Sequence, residues 1–302
     1  GADLVLELPT VYSLSHAQRF AEGALKTLSM LGEYTLYFGT EADELHNLSM
    51  AAEFMQSETK DMSGLLKGYL GQGYSVAKSR TMALGSIRPD IANMLTSPNN
   101  ILAVEYIKAS HKYGGNVHLH SVERKPDDGK KYLSSTKIRE LMRGGNDITP
   151  YVPQYVTIDR PVSTDKYGTI ATYAMKAMTA AQLADIYNVG EGLENRISQA
   201  DFNDMRGFLE LTSKRYTRST IKRIAACVTL GLDKRLAELA ATEKPYCTLL
   251  AVKPSKKKFI LPLLAEADGY FFYKHSDCGT DCPVRPLVDL DEKANKIQKL
   301  CL

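Results

Sequence analysis

The chain has 302 residues, 44% of them hydrophobic and 24% charged, with 38 Lys and Arg against 35 Asp and Glu for a formal net charge of +3. This is the composition of an ordinary globular protein with material for one or two cores, and it excludes a polycation, so any nucleic-acid surface must come from local clustering. No run approaches a membrane span, no basic n-region opens the chain, and five cysteines, an odd number, fit a reducing cytoplasm better than a disulfide framework.

The chain opens without Met, directly on an apolar strand at 4–8 that Pro9 ends. A start in mid-element leads us to expect a natural beginning further upstream. Phe20, Ala24, Leu28 and Leu31 recur at helical spacing and predict a helix over 16–31. An aromatic strand over 34–38 is closed by Gly39. Helices are predicted over 44–57, 59–71 and 74–84, and over 98–113 with Ser97 as cap, Pro98 at the first position and Gly114-Gly115 as the stop. Residues 117–123 alternate as a strand, and a further helix over 136–143 stops at Gly144-Gly145. Strands separated by helices predict crossovers, hence an α/β fold with a mainly parallel sheet.

Pro150, Pro153 and Pro161 crowd the span 149–165, which reads as a linker. It divides the chain into a first domain, 1–150, and a second, 160–302. The second is mainly helical over 171–239 and ends in a small α/β portion, with strands over 248–253 and 269–273 and a helix near 262–267.

Ligands of parallel sheets bind beyond the carboxyl ends of the strands. Gly39, Asn99, Asn100 and Arg124 all fall at strand ends or helix starts on that edge. Gly39 permits close approach to the backbone, Asn99 and Asn100 offer amides at a helix start, and Arg124 follows its strand. Ser134, Ser135 and Thr136 add hydroxyls to the unpaired N–H groups of the next helix start, and Arg139 sits one turn in. That combination suits phosphates; a capped surface helix with a solvated Arg accounts for the same residues equally well. Lys214, Arg215, Arg218, Lys222 and Arg223 place five cations in ten residues without an acid. On one continuous helix Lys214, Arg218 and Lys222 would form a positive stripe beside Tyr216, which fits an RNA backbone; a solvated face is the alternative. His118 and His120, and Cys278 with Cys282, lack the partners of a metal site, so no protein-held metal is expected. The segment 191–196 is either a functional turn or a charged helix start.

Leu4 to Pro9 (LVLELP), Phe38-Gly39-Thr40-Glu41, Ser97-Pro98-Asn99-Asn100-Ile101-Leu102, Ser134 to Arg139, Glu191 to Ile197 (EGLENRI) and Lys214-Arg215-Tyr216-Thr217 together resemble the bacterial tRNA(Met) cytidine acetate ligases, of the HxGH-type nucleotidyltransferases. The resemblance implies a Rossmann-like nucleotidyltransferase domain over 1–150 and a tRNA-binding domain over 160–302. It implies that ATP, with Mg2+, activates acetate as acetyl-adenylate, and that the acetyl group passes to N4 of the wobble cytidine of elongator tRNA(Met). Gly39, Asn99, Asn100, Arg124, Ser134, Ser135, Thr136 and Arg139 would then contact ATP, and Lys214, Arg215, Arg218, Lys222 and Arg223 would meet tRNA. A non-catalytic nucleotide- or RNA-binding protein and an adenylyltransferase of small phosphate esters are the competing expectations. The family's first strand and its H-x-G-H histidines are expected ahead of Gly1, so these 302 residues alone are expected to be catalytically impaired, with no catalytic residue assignable among them.

Overall fold

A computed structural model describes residues 1–41, 45–57, 60–113, 117–125, 133–153 and 162–302. The stop Gly114-Gly115 and the linker residue Pro161 lie outside the described residues. Two strands form the parallel pair expected from the alternation. β2 (Tyr34–Thr40) runs beside β3 (Val117–Glu123) in a register that sets Gly39 opposite Val122 and Thr40 opposite Glu123. Their crossover passes through four helices, Leu45–Gln56, Lys60–Gly71, Val76–Ile87 and Pro89–Met94, and returns on Pro98–Tyr113. Phe38, Leu48, Leu84, Ile91, Val104 and Ile107 fill the core beneath this pair.

The first strand does not join that pair. β1 (Leu4–Leu6) lies antiparallel to β4 (Tyr246–Val252), which in turn runs parallel to β5 (Tyr270–Phe272). The expected single sheet is therefore corrected to two, and the cause lies just downstream of Pro9. Val11 and Tyr12, on the short helix Thr10–Ser13, are buried among Leu183, Phe208, Ile221, Ile224 and Leu287 from the second half of the chain. The Tyr12 hydroxyl donates to the Ala240 carbonyl at 2.6 Å, and the Thr10 amide donates to Asp291 at 2.7 Å. Burying these two side chains carries β1 to the C-terminal strands.

The helix Ala17–Leu28 sits between the two cores. Ala21 and Leu25, rather than the expected Phe20 and Leu28, are fully buried, and they pack with Ala109 of Pro98–Tyr113. Its other side meets Tyr12 through Gly23, where a Cβ would fall 2.1 Å from the Tyr12 ring. Only a residue without a side chain lets that ring lie against the helix.

The second half is helical as expected but begins earlier. Thr164–Lys176 starts inside the predicted linker, with the Ser163 hydroxyl accepting from the Lys166 amide as its cap. The closing helix, Arg285–Leu300, is not among the elements expected from the sequence. Its buried residues Leu287, Val288, Leu290 and Asp291 lie in the first two turns, and Ala294, Ile297 and buried Cys301 continue the same face at helical spacing, a period the reading of the sequence passed over.

Candidate functional site

Glu41 is the centre of the best-formed polar cluster. It follows β2 directly, because Gly39 and Thr40 end that strand, and the Arg124 amide donates to the Thr40 carbonyl at 2.9 Å. Its carboxylate accepts from three side chains, the Asn99 amide, the Ser97 hydroxyl at 3.2 Å and the Arg124 guanidinium at 3.2 Å. The Asn99 hydrogen bond, followed by those of Ser97 and Arg124, holds the Glu41 carboxyl below the usual carboxylate range. Asn100 fixes the arrangement from beneath. It is 6% exposed; its Oδ1 accepts from the Glu41 amide at 3.1 Å and its Nδ2 donates to the Met94 carbonyl at 3.0 Å. Ser97 also accepts from the Asn99 amide at 3.2 Å, which starts the helix Pro98–Tyr113.

The structure thus brings Gly39, Asn99, Asn100 and Arg124 to one rim. A Cβ at Gly39 would lie 3.2 Å from Arg124 Cγ, so the glycine gives the Arg124 stem its path to Glu41. Glu41 itself is the residue sequence reasoning left out of the candidate site. The available signal was an acid following Phe-Gly-Thr in a chain whose Ser-Pro-Asn-Asn start had donors without an acceptor.

The helix Ser135–Arg143 forms a second, separate cluster. Ser134 caps it by accepting from the Lys137 amide at 3.3 Å, and Arg139 donates to Thr136 Oγ1 at 3.4 Å. None of its residues is buried. Residues 126–132, which link it to Arg124, lie outside the described residues. Its first turn carries the hydroxyls of Ser135 and Thr136, with the Arg139 guanidinium one turn in.

The basic segment is partly rearranged relative to expectation. The helix begins at Arg218, capped by Thr217, so Lys214 precedes it and the three-residue stripe is reduced to Arg218 and Lys222, both exposed. Tyr216 is no stacking platform: it packs on the core and its hydroxyl donates to the Gly190 carbonyl. Arg215 pairs with Glu191 at 2.7 Å. Arg223 is half-buried beside Ile221 and Ile224 and donates to Thr220 Oγ1 at 3.2 Å; burial lowers its pKa. The segment 191–196 resolves into a turn and a helix start. Glu191 has φ +54° and Gly192 φ +85°, ahead of Leu193–Gln199. His118 pairs with Glu33 at 3.0 Å and the His120 ring lies 4.8 Å from that of Tyr37. Among the described residues no group of three His, Cys, Asp or Glu side chains could hold a metal ion, and no described helix is long and apolar enough to cross a membrane.

A parallel strand pair with polar side chains gathered at its carboxyl edge is the arrangement of the α/β proteins that bind ligands beyond their strand ends. The sequence profile of the HIGH nucleotidyl transferases matches residues 1–302, and the chain belongs to that family. It is 32% identical to the tRNA(Met) cytidine acetate ligase of Caldanaerobacter subterraneus subsp. tengcongensis, over 89% of this chain and 74% of that protein. It is 31% identical to the ligase of the same name from Thermoanaerobacter pseudethanolicus, with the same coverage. The fold superposes on the crystal structure of Thermotoga maritima TmcAL bound with alpha-thio ATP, with a TM-score of 0.87 at 27% identity, over 100% of this chain and 80% of that one.

Proposed function

We propose that this chain carries the ATP-binding rim and the tRNA-binding surface of a tRNA(Met) cytidine acetate ligase. The observation that carries the reading is the Glu41 cluster, in which Ser97, Asn99 and Arg124 converge on one carboxylate at the edge of a parallel strand pair. The relatives' name and the ATP analogue in the Thermotoga maritima structure support it. The division of labour follows the sequence, with 1–150 holding ATP and 160–302 meeting tRNA, in the cytoplasm.

In this reading Glu41 accepts hydrogen bonds from sugar hydroxyls or a base amine, and Asn99, Asn100 and Gly39 shape the wall. Arg124, with Ser134, Ser135, Thr136 and Arg139, meets the phosphates. Adenylate formation joins a carboxylate oxygen of acetate to the α-phosphorus and releases pyrophosphate. Guanidinium and hydroxyl donors fixed before reaction neutralise the charge that grows on that leaving group. Mg2+ enters with ATP as part of the substrate. The amine nitrogen N4 of the wobble cytidine then attacks the acetyl carbon, AMP leaves, and the amine proton is lost to solvent.

The competing reading is nucleotide and RNA binding without turnover. Acetate-dependent pyrophosphate release, measured with and without elongator tRNA(Met), separates the two. Release stimulated by tRNA supports a competent ligase, whereas saturable ATP and tRNA binding without release supports the non-catalytic reading. Adenylation of a phosphate ester with no RNA effect would contradict both.

A further inference from the structure

Tyr74 carries two cations from distant parts of the chain. Lys78 Nζ stands 4.8 Å and Lys214 Nζ 5.3 Å from the centroid of its ring. The two ammonium groups are therefore no more than about 10 Å apart. Lys78 lies in the first turn of Val76–Ile87, where its amide donates to Ser75 Oγ at 3.3 Å. A cation at that end of a helix opposes the peptide dipoles. Lys214 is presented by a small closed loop: the Ser213 amide donates to the Tyr216 carbonyl at 2.9 Å, and the Tyr216 amide returns a bond to Ser213 Oγ at 3.1 Å. Tyr216, tied to Gly190, and Arg215, spent on Glu191, pin the loop. Lys214 is the cation left to face outward.

Among the described residues neither Lys78 nor Lys214 is in an ion pair, and both are exposed. Attraction to the ring face holds each of them. Each is thus oriented but not neutralised, and the pair spans the gap between the helices of the first half and the basic helix start at Arg218. A partner that fits is a polyanion with charges repeated every few ångströms. The geometry points to a phosphate clamp, in which Lys78 and Lys214, held on the Tyr74 ring, grip neighbouring phosphates of the RNA backbone and extend the RNA surface from Arg218 and Lys222 onto Val76–Ile87. The inference rests on the tRNA-binding reading above and adds a contact from the ATP-binding half.

The test is the salt dependence of binding to an elongator tRNA(Met) transcript, read by filter binding with the full chain. Lys78→Gln and Lys214→Gln are each expected to weaken binding roughly three- to tenfold and to flatten the slope of log K against log salt by about one. Tyr74→Leu keeps both charges and is expected to weaken binding with the slope preserved. Arg218→Glu with Lys222→Glu serves as the reference for the basic helix start, and circular dichroism melts confirm that each variant folds. If Lys78→Gln keeps the parent affinity and slope while the reference variant loses both, the clamp is overturned and the RNA reading survives. If the reference variant also binds as the parent does, the RNA surface itself is misplaced and the clamp falls with it.

Discussion

Asn100→Ala is the substitution that separates a built nucleotide rim from a surface helix start. Asn100 is buried, its Oδ1 accepts from the Glu41 amide and its Nδ2 donates to the Met94 carbonyl. Alanine removes both partners at once. A buried polar group left unpaired costs about 1–3 kcal/mol. The Glu41 amide lies at an exposed rim where water can reach it, so the Met94 carbonyl carries most of the loss. The total is about 2–3 kcal/mol, which lowers the melting temperature by roughly 4–8 °C. The functional effect is larger than the stability effect alone suggests, because Glu41 loses the tether that sets its carboxylate among Ser97, Asn99 and Arg124. Affinity for alpha-thio ATP is expected to fall about tenfold, equivalent to about 1.4 kcal/mol. Thermal denaturation with and without nucleotide, together with titration calorimetry, reads both quantities. Asn100→Asp keeps an acceptor for the Glu41 amide but sets a second carboxylate beside Glu41, so it is expected to bind nucleotide more weakly than the alanine variant. An Asn100→Ala protein that melts with the parent and binds nucleotide equally would show that Asn100 neither tethers Glu41 nor supports the rim.

Two further outcomes follow from the same geometry. Gly39→Val puts methyl groups where Arg124 Cγ already leaves only 3.2 Å to a Cβ, so Arg124 is expected to leave Glu41; nucleotide affinity should fall several-fold while the melting temperature changes by less than about 3 °C, and equal affinity would show that the Arg124 path is unimportant. Asp291 is 2% exposed and burial pushes its carboxyl up to about 6, despite hydrogen bonds from the Thr10 amide and from the Tyr246 hydroxyl at 2.9 Å. The folded state therefore binds this proton more tightly than the unfolded chain, and the contribution to stability grows as pH falls from about 6 towards 3.8. Relative to Asp291→Asn, which keeps an acceptor for Thr10, the parent should gain roughly 2 kcal/mol across that window in denaturant titrations. Parallel pH profiles would contradict it.

The convergence at the rim was legible because parallel pairing leaves little freedom: once 34–38 and 117–123 are neighbours, Gly39 and Arg124 must meet at one end. Glu41 was missed because an acid next to a strand reads as solvated until the Asn99 amide is seen to reach it. The basic segment was misread for a different reason. A helix start four residues later moves Lys214 off the stripe, and the choice of Tyr216 as anchor depends on the Gly190 carbonyl, which lies 26 residues away in sequence. β1 illustrates the same limit, since three apolar residues pair with any open edge and the choice of β4 is made by Val11 and Tyr12.

The decisive measurement is a crystal structure of this chain with alpha-thio ATP bound. The sugar or base of the nucleotide is expected against Glu41 and Asn99, and the phosphates within hydrogen-bond reach of Arg124, Ser135 and Arg139. Nucleotide bound elsewhere, with the Glu41 cluster unchanged and solvent-filled, would contradict it.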